Sequence, residues 1–149
     1  MKKIAEVIAT AFYGGYAPVV PATFGAVLGA VVFWLLMPRS IATQSIVTVA
    51  AIFLAIVTSG KAEEKYGTDG RRIVIDEVAG MFVSLCFLPR SLPVFLAAFV
   101  VFRVLDILQP FPANRLQRLP GGWGVVADDV FAGIYTNVLM RILLASGGK

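Results

Sequence analysis

Histidine is absent from the 149 residues, and cysteine occurs once, as Cys86 in the apolar run Leu85-Cys86-Phe87-Leu88. The first absence excludes imidazole acid–base catalysis and histidine-ligated metal centres. The second excludes an intramolecular disulfide, and a lone thiol with no cation nearby to lower its pKa reads as a packing residue. Charge is scarce as well: Asp, Glu, Lys and Arg make up 15% of the chain, against about 25% in soluble domains. The net charge is only +4 and no Lys- or Arg-rich arm exists, so a nucleic-acid surface is not expected. No removed leader is expected, because Ile4 to Phe12 is short for a signal core and carries Glu6.

What the chain has instead is apolar length. Hydrophobic residues make up 58%, mean hydropathy is +0.85, and these residues gather in blocks, the mark of a membrane chain rather than of a soluble core. The expected fold is all-α: a polytopic membrane helical bundle of about five spans plus a short N-terminal interfacial helix, forming a single domain over residues 1–149. Ile4, Val7, Ile8 and Ala11 share one face of that first helix. Gly14-Gly15 and Pro18 to Pro21 break it. The spans then run from Phe24 to Met37, extended by Val19 and Val20, from Ile41 to Ser59, from Ile73 to Leu88, from Leu92 to Leu108 and from Val125 to Leu144. A polar loop from Gly60 to Arg72 and a basic, Gly-rich connection from Asn114 to Gly124 separate them. Ala132 and Gly133 would let a neighbouring helix come close.

Basic residues orient the bundle. With the N-terminus in the cytoplasm, that side receives Lys2, Lys3, Lys61, Lys65, Arg71, Arg72, Arg115 and Arg118, and the other side chiefly Arg39, Arg90 and Lys149. This topology sends the unusual polar residues to one face: Thr23 at the start of the first span, Asp76 and Glu77 at the start of the third, Asp106 at the end of the fourth, and Asp128 and Asp129 at the start of the fifth.

Acids in apolar helices need a reason, since an ionised carboxylate deep in a bilayer costs roughly 2.5–3.5 kcal/mol on insertion scales. Their helix-start positions are compatible with simple dipole stabilisation. Five carboxylates gathered with few cations repel one another, however, and a hard divalent cation is the usual remedy, with oxygen-only donors favouring Mg²⁺, Mn²⁺ or Ca²⁺ over zinc. The candidate catalytic residues are therefore Asp76, Glu77, Asp106, Asp128 and Asp129, and the candidate metal ligands are Asp76, Glu77, Asp128 and Asp129. Gly80 shares a helical face with Asp76, and Gly133 with Asp129, so open space for metal or substrate is expected beside each acid. Arg103, three residues before Asp106, suits either a structural ion pair or a phosphate contact. Asp69 precedes Gly70 in a turn-like pair, while Glu63 and Glu64 read as a solvated face.

Four blocks carry a resemblance over nearly the whole chain: Pro18-Val19-Val20-Pro21-Ala22-Thr23-Phe24-Gly25; Asp69 followed by Ile73-Val74-Ile75-Asp76-Glu77-Val78-Ala79-Gly80; Phe102-Arg103-Val104-Leu105-Asp106-Ile107 with Pro110-Phe111-Pro112; and Gly121-Gly122-Trp123-Gly124 leading to Asp128-Asp129-Val130-Phe131-Ala132-Gly133. In order and spacing they resemble the phosphatidylglycerophosphatase A family. The resemblance implies a Mg²⁺-dependent phosphatase of a phospholipid substrate in the inner leaflet of the bacterial inner membrane, multi-pass, with its active site facing the cytoplasm. It also implies substrate contacts at Thr23 and Asp69. Where the family usually reads Pro-Gly-Thr and Lys-Pro, this chain has Pro21-Ala22-Thr23 and Gln109-Pro110, leaving Arg103, Arg115 or Arg118 to meet phosphate. Two other classes are weighed. A small ion or proton carrier would place acids at mid-membrane, and a CDP-alcohol phosphotransferase would need an Ala-Arg pair and two Asp four apart after Asp69-Gly70, which are absent. Nothing in the sequence sets the oligomeric state.

Overall fold

The computed structural model describes residues 2–68 and 70–147. All regular structure among them is helical: α1 Lys2–Ala9, a 3₁₀ turn Gly14–Tyr16, α2 Pro21–Leu36, α3 Ile41–Tyr66, α4 Ile75–Leu85, α5 Leu92–Leu108, α6 Ala113–Leu116 and α7 Gly122–Gly147. Asp69 lies outside the described residues.

Helix α4 is the axis of the bundle. Nine of its eleven residues are buried, with α2, α3, α5 and α7 packed around it. At about 1.5 Å per residue it is roughly 16 Å long, well short of the ~30 Å hydrocarbon core. The expected third span from Ile73 to Leu88 is thus helical over its middle only, and it lies inside the protein. Its neighbours approach through glycine. A Cβ on Gly80 would meet the Phe102 ring at 2.7 Å and Asp129 O at 2.9 Å, and one on Gly133 would meet Gly80 O at 2.5 Å. Gly80 and Gly133 therefore do not supply the open space expected beside Asp76 and Asp129, because their faces are consumed by helix packing.

The outer helices carry apolar residues outward: Val31, Leu35, Ile46, Phe53, Leu96, Val100 and Ile142 are all exposed, while Gln44, Thr48, Ser59, Ser84 and Thr136 are buried. Apolar outside with polar residues inside is the pattern of a membrane-associated bundle. Two helices, Ile41–Tyr66 and Gly122–Gly147, are long and apolar enough to cross a membrane, and Pro21–Leu36 is a shorter apolar helix. Helix α3 overruns its expected end by seven residues, so the polar loop begins at Gly67 rather than Gly60. Lys61, Ala62, Glu63, Glu64 and Lys65 are good helix formers; polarity there marks departure from an apolar environment, not the end of the helix. The Asn114–Gly124 connection likewise contains the short helix α6 and the first turn of α7.

Candidate active site

The chain enters α2 through a constrained turn. Val20 caps the helix at φ 47° with Pro21 at the first helical position, a left-handed conformation rare for a β-branched residue. This turn sets Val20, Pro21 and Ala22 against the segment before α4. There the amide of Val74 donates to Ala9 O at 2.9 Å, fixing the start of α4 against α1, and Gly25 admits Val74 and Glu77 to α2 so closely that a Cβ would lie 2.6 Å from Val74 O. The result is a cleft of about 300 Å³ lined by Val20, Pro21, Ala22, Gly70, Arg71, Ile73, Asp76, Glu77 and Arg103.

Three acids meet behind it, and two of them, Asp76 and Glu77, line it. Asp76 and Glu77, in the first turn of α4, and Asp129, two turns into α7, each offer a carboxylate oxygen, and these oxygens lie within 4.8 Å of one another. All three residues are buried. Glu77 Oε2 is buried without a hydrogen-bond partner among the described residues. Burial removes the water that would stabilise these charges, and proximity adds repulsion. Three convergent oxygen donors with an unsatisfied oxygen among them fit a hard divalent cation.

The remaining expected residues surround this group at different distances. Asp106 lies within hydrogen-bonding reach of Asp129 and is ion-paired with Arg103; Arg103 also lines the cleft, so the ion pair and exposure to a ligand coexist. Asp128 sits beside the triad, its Oδ1 accepting from the Asp129 amide at 3.0 Å and its Oδ2 from Gln109 Nε2 at 3.0 Å. Thr23 is half-buried one residue beyond Ala22, while Arg115 and Arg118 are exposed and not part of the cleft lining, with Arg115 stacked 5.1 Å from the Phe111 ring.

Two features escape a reading of the sequence. Arg71 lines the cleft, though its pairing with Arg72 reads only as a topology signal. The second is a polar knot on the same end of the molecule: Glu6 Oε1 accepts from Lys65 Nζ at 2.5 Å, Tyr66 OH at 2.5 Å and Tyr16 OH at 3.1 Å, and the Arg72 guanidinium lies 4.5 Å from the Tyr16 ring centre. The Lys65 ammonium first, then the Tyr66 hydroxyl, pull the Glu6 carboxyl from the ordinary 4.5 down to about 2. Partners 10 and 60 residues apart give no local pattern to find.

Comparison with known proteins places the chain among phosphatases. The family model described as Phosphatidylglycerophosphatase A matches residues 7–144. Phosphatidylglycerophosphatase A of Escherichia coli is 35% identical over 144 residues, covering 93% of this chain and 82% of that protein. That of Haemophilus influenzae is 32% identical over 139 residues, covering 91% and 85%. A Bacteroides thetaiotaomicron protein provisionally named phosphatidylinositol-3-phosphatase is 33% identical over 143 residues, covering 91% and 90%. No solved structure matches significantly. The class is thus a phosphatase enzyme. More narrowly, the chain belongs to the phosphatidylglycerophosphatase A family.

Proposed function

We propose that the enzyme hydrolyses phosphatidylglycerophosphate to phosphatidylglycerol and inorganic phosphate at the cytoplasmic face of a bacterial inner membrane, using Mg²⁺ held by Asp76, Glu77 and Asp129. The observation that carries this reading is the buried three-carboxylate group opening on a cleft that also presents Arg71 and Arg103. Bound there, the cation would supply positive charge to a phosphate oxygen as it becomes more negative. The protein's own part is positioning. Arg103, fixed by Asp106, meets the phosphomonoester dianion from the α5 side, and Arg71 meets it from the loop. A carboxylate of the acidic set orients the water and takes its proton as the water oxygen bonds to phosphorus, the phosphorus–oxygen bond to glycerol breaks, and that proton passes on to the leaving alkoxide. Asp128, held by Gln109, keeps Asp129 in register from behind. Thr23 follows Ala22 of the cleft wall, the family resemblance adds Asp69 as a substrate contact, and Arg115 and Arg118 add positive charge to that end of the molecule. The bundle crosses the membrane about five times, with α4 sheltered from lipid by its neighbours.

Phosphate release from phosphatidylglycerophosphate, phosphatidic acid, phosphatidylinositol 3-phosphate and glycerol 3-phosphate, each with and without Mg²⁺, tests the proposal. Preference for the first lipid with strict Mg²⁺ dependence is expected. Preference for the inositol lipid, which the name of the Bacteroides relative makes the second reading, would keep the chemistry and replace the substrate. Equal rates without divalent cations would reject the metal.

A further inference from the structure

We infer that the seam between α2 and α5 is the binding groove for one acyl chain of the lipid substrate, with the phosphate-bearing end in the carboxylate cleft above it; this rests on the lipid-phosphatase reading. The groove is an apolar trough of about 340 Å³ whose walls include Val27, Val31 and Trp34 of α2 and Leu92, Leu96 and Phe99 of α5. The two helices that form it also wall the cleft, through Pro21 and Ala22 on one and Arg103 on the other. Cleft and groove are consecutive along both: Ala22 to Val27 is five residues and Arg103 to Phe99 is four, a step of about 6–8 Å at the helical rise.

Among the described residues, the cleft is walled by α2, α4, α5 and the segments leading into α2 and α4. Its lining contains no residue of α3 or α7, and its inner side is closed by α4, buried along nearly its whole length. A second apolar hollow, lined by Ser45 and Val49 of α3 and Ile134 and Val138 of α7 among others, shares no lining residue with the cleft. The α2–α5 seam is open because α2 packs chiefly on α4 and only sparsely on α5. Its far end is closed where Trp34 meets the Phe95 ring edge-on at 4.5 Å. From Ala22 to Trp34 the seam is about 18 Å long, close to the ~15 Å of one leaflet's hydrocarbon, so a chain whose lipid presents phosphate to the cleft runs the depth of its own leaflet. Outward exposure of Val27, Val31, Leu92 and Leu96 lets it enter sideways from the bilayer.

The decisive experiment uses the intact wild-type protein in nanodiscs and phosphatidylglycerophosphate carrying a diazirine in one acyl chain. Label on α2 and α5 between Val27 and Phe99, competed by unlabelled phosphatidylglycerophosphate and not by phosphatidylcholine, is expected. Label spread over α3 and α7, or competed equally by phosphatidylcholine, would mean ordinary boundary lipid and overturn the groove. Kinetics give a second test. Val31→Trp, deeper in the groove and exposed, should lower kcat/KM for a long-chain substrate by at least about tenfold, since a displaced chain lifts the phosphate off the acids, and should cost a dihexanoyl substrate, whose chains end nearer the cleft, at least about threefold less. Val138→Trp, in the other hollow, should change neither. Equal loss on both substrates, or none on the long one, would overturn the groove. The labelling does not depend on turnover, so failure of the phosphatase reading and failure of the groove register in different measurements.

Discussion

The two ends of the bundle treat buried polarity in opposite ways. At the end away from the acids, polar side chains are spent on backbone. Asn137 Nδ2 donates to the carbonyls of Val83, Ser84 and Cys86 at 3.3, 3.0 and 2.8 Å, satisfying the open C-terminus of α4. Gln44 Oε1 accepts from the Phe87 amide at 2.9 Å, and the Arg90 guanidinium bonds the carbonyls of Met37 and Pro38. At the acidic end three carboxylates face one another and Glu77 Oε2 stays without a hydrogen-bond partner among the described residues. A polar group that completes secondary structure has its partner built in, whereas one that binds a ligand carries capacity the fold does not use.

The largest expected effect breaks this contrast directly. Asp76→Asn, Glu77→Gln and Asp129→Asn should each lower turnover by at least about a hundredfold, because metal-borne charge stabilisation is worth several kcal/mol. Thermal stability in the absence of divalent cation should hold or rise, since each change removes a repelling charge. Asn137→Ala should do the reverse, destabilising by about 1–3 kcal/mol through buried carbonyls left unsatisfied while turnover per folded molecule is kept. Near-normal activity in both Asp76→Asn and Asp129→Asn enzymes would sink the site.

Removing the metal sharpens the same comparison. Chelation should abolish turnover, and Mg²⁺ titration should raise Tm in the wild type by mass action and not in Asp129→Asn. Asn137→Ala should keep the full Mg²⁺-induced rise. A rise that survives in Asp76→Asn, Glu77→Gln and Asp129→Asn alike would place the cation elsewhere.

A smaller effect is expected where the site borrows a structural device. Gln109, at φ 43° on the C-cap of α5, holds the Asp128 carboxylate by one hydrogen bond, a contact worth about 1.5–3 kcal/mol, only part of which bears on Asp129. Gln109→Leu should therefore slow turnover by about three- to tenfold, and Asp128→Asn should cost less than Asp129→Asn. The reverse order would make Asp128, not Asp129, the inner ligand.

Legibility from sequence follows the same division between local and distant causes. The expected fourth span is found as α5 over Leu92–Leu108 because its stops are local: Pro89-Arg90-Ser91 before it and Gln109-Pro110 after it. The acidic face is legible because Asp76, Glu77, Asp106, Asp128 and Asp129 all sit at helix ends that one topology sends together. Which acids touch is not, since Asp76 and Asp129 are joined by the Gly80–Gly133 approach, a contact across 53 residues that the sequence suggests only as a possible close packing. The depth of α4 is hidden for a related reason. An apolar run of sixteen residues reads as lipid-facing, and only the four helices around it make it interior.

The smallest expected effect lies at the acidic end but outside the cleft, where the Glu6 knot ties α1 to the end of α3. Here partners are built in, as at the far end, so pH should act on anchoring and not on chemistry. The Glu6 carboxyl is held at about 2 in the knot against an ordinary 4.5, a depressed value, so its contribution is complete above about pH 5 and is lost as pH falls through 4.5 toward 2, where the released carboxylate takes up a proton that the bonded one refuses. Amide exchange of α1 and of Val74, whose N–H bonds Ala9, should stay flat from neutral pH to about 5 once intrinsic rates are removed, then rise on further acidification. Glu6→Gln keeps a hydrogen-bond acceptor for Tyr16 and Tyr66 but removes the charge facing Lys65, so it should show raised exchange at neutral pH and little further change in acid. Turnover at neutral pH should fall by no more than about twofold, the scale of an exposed ion pair. A loss approaching that of Asp129→Asn would mean that the knot and the acids form one site, and the distinction between anchoring and ligand-binding polarity at this end of the bundle would fail.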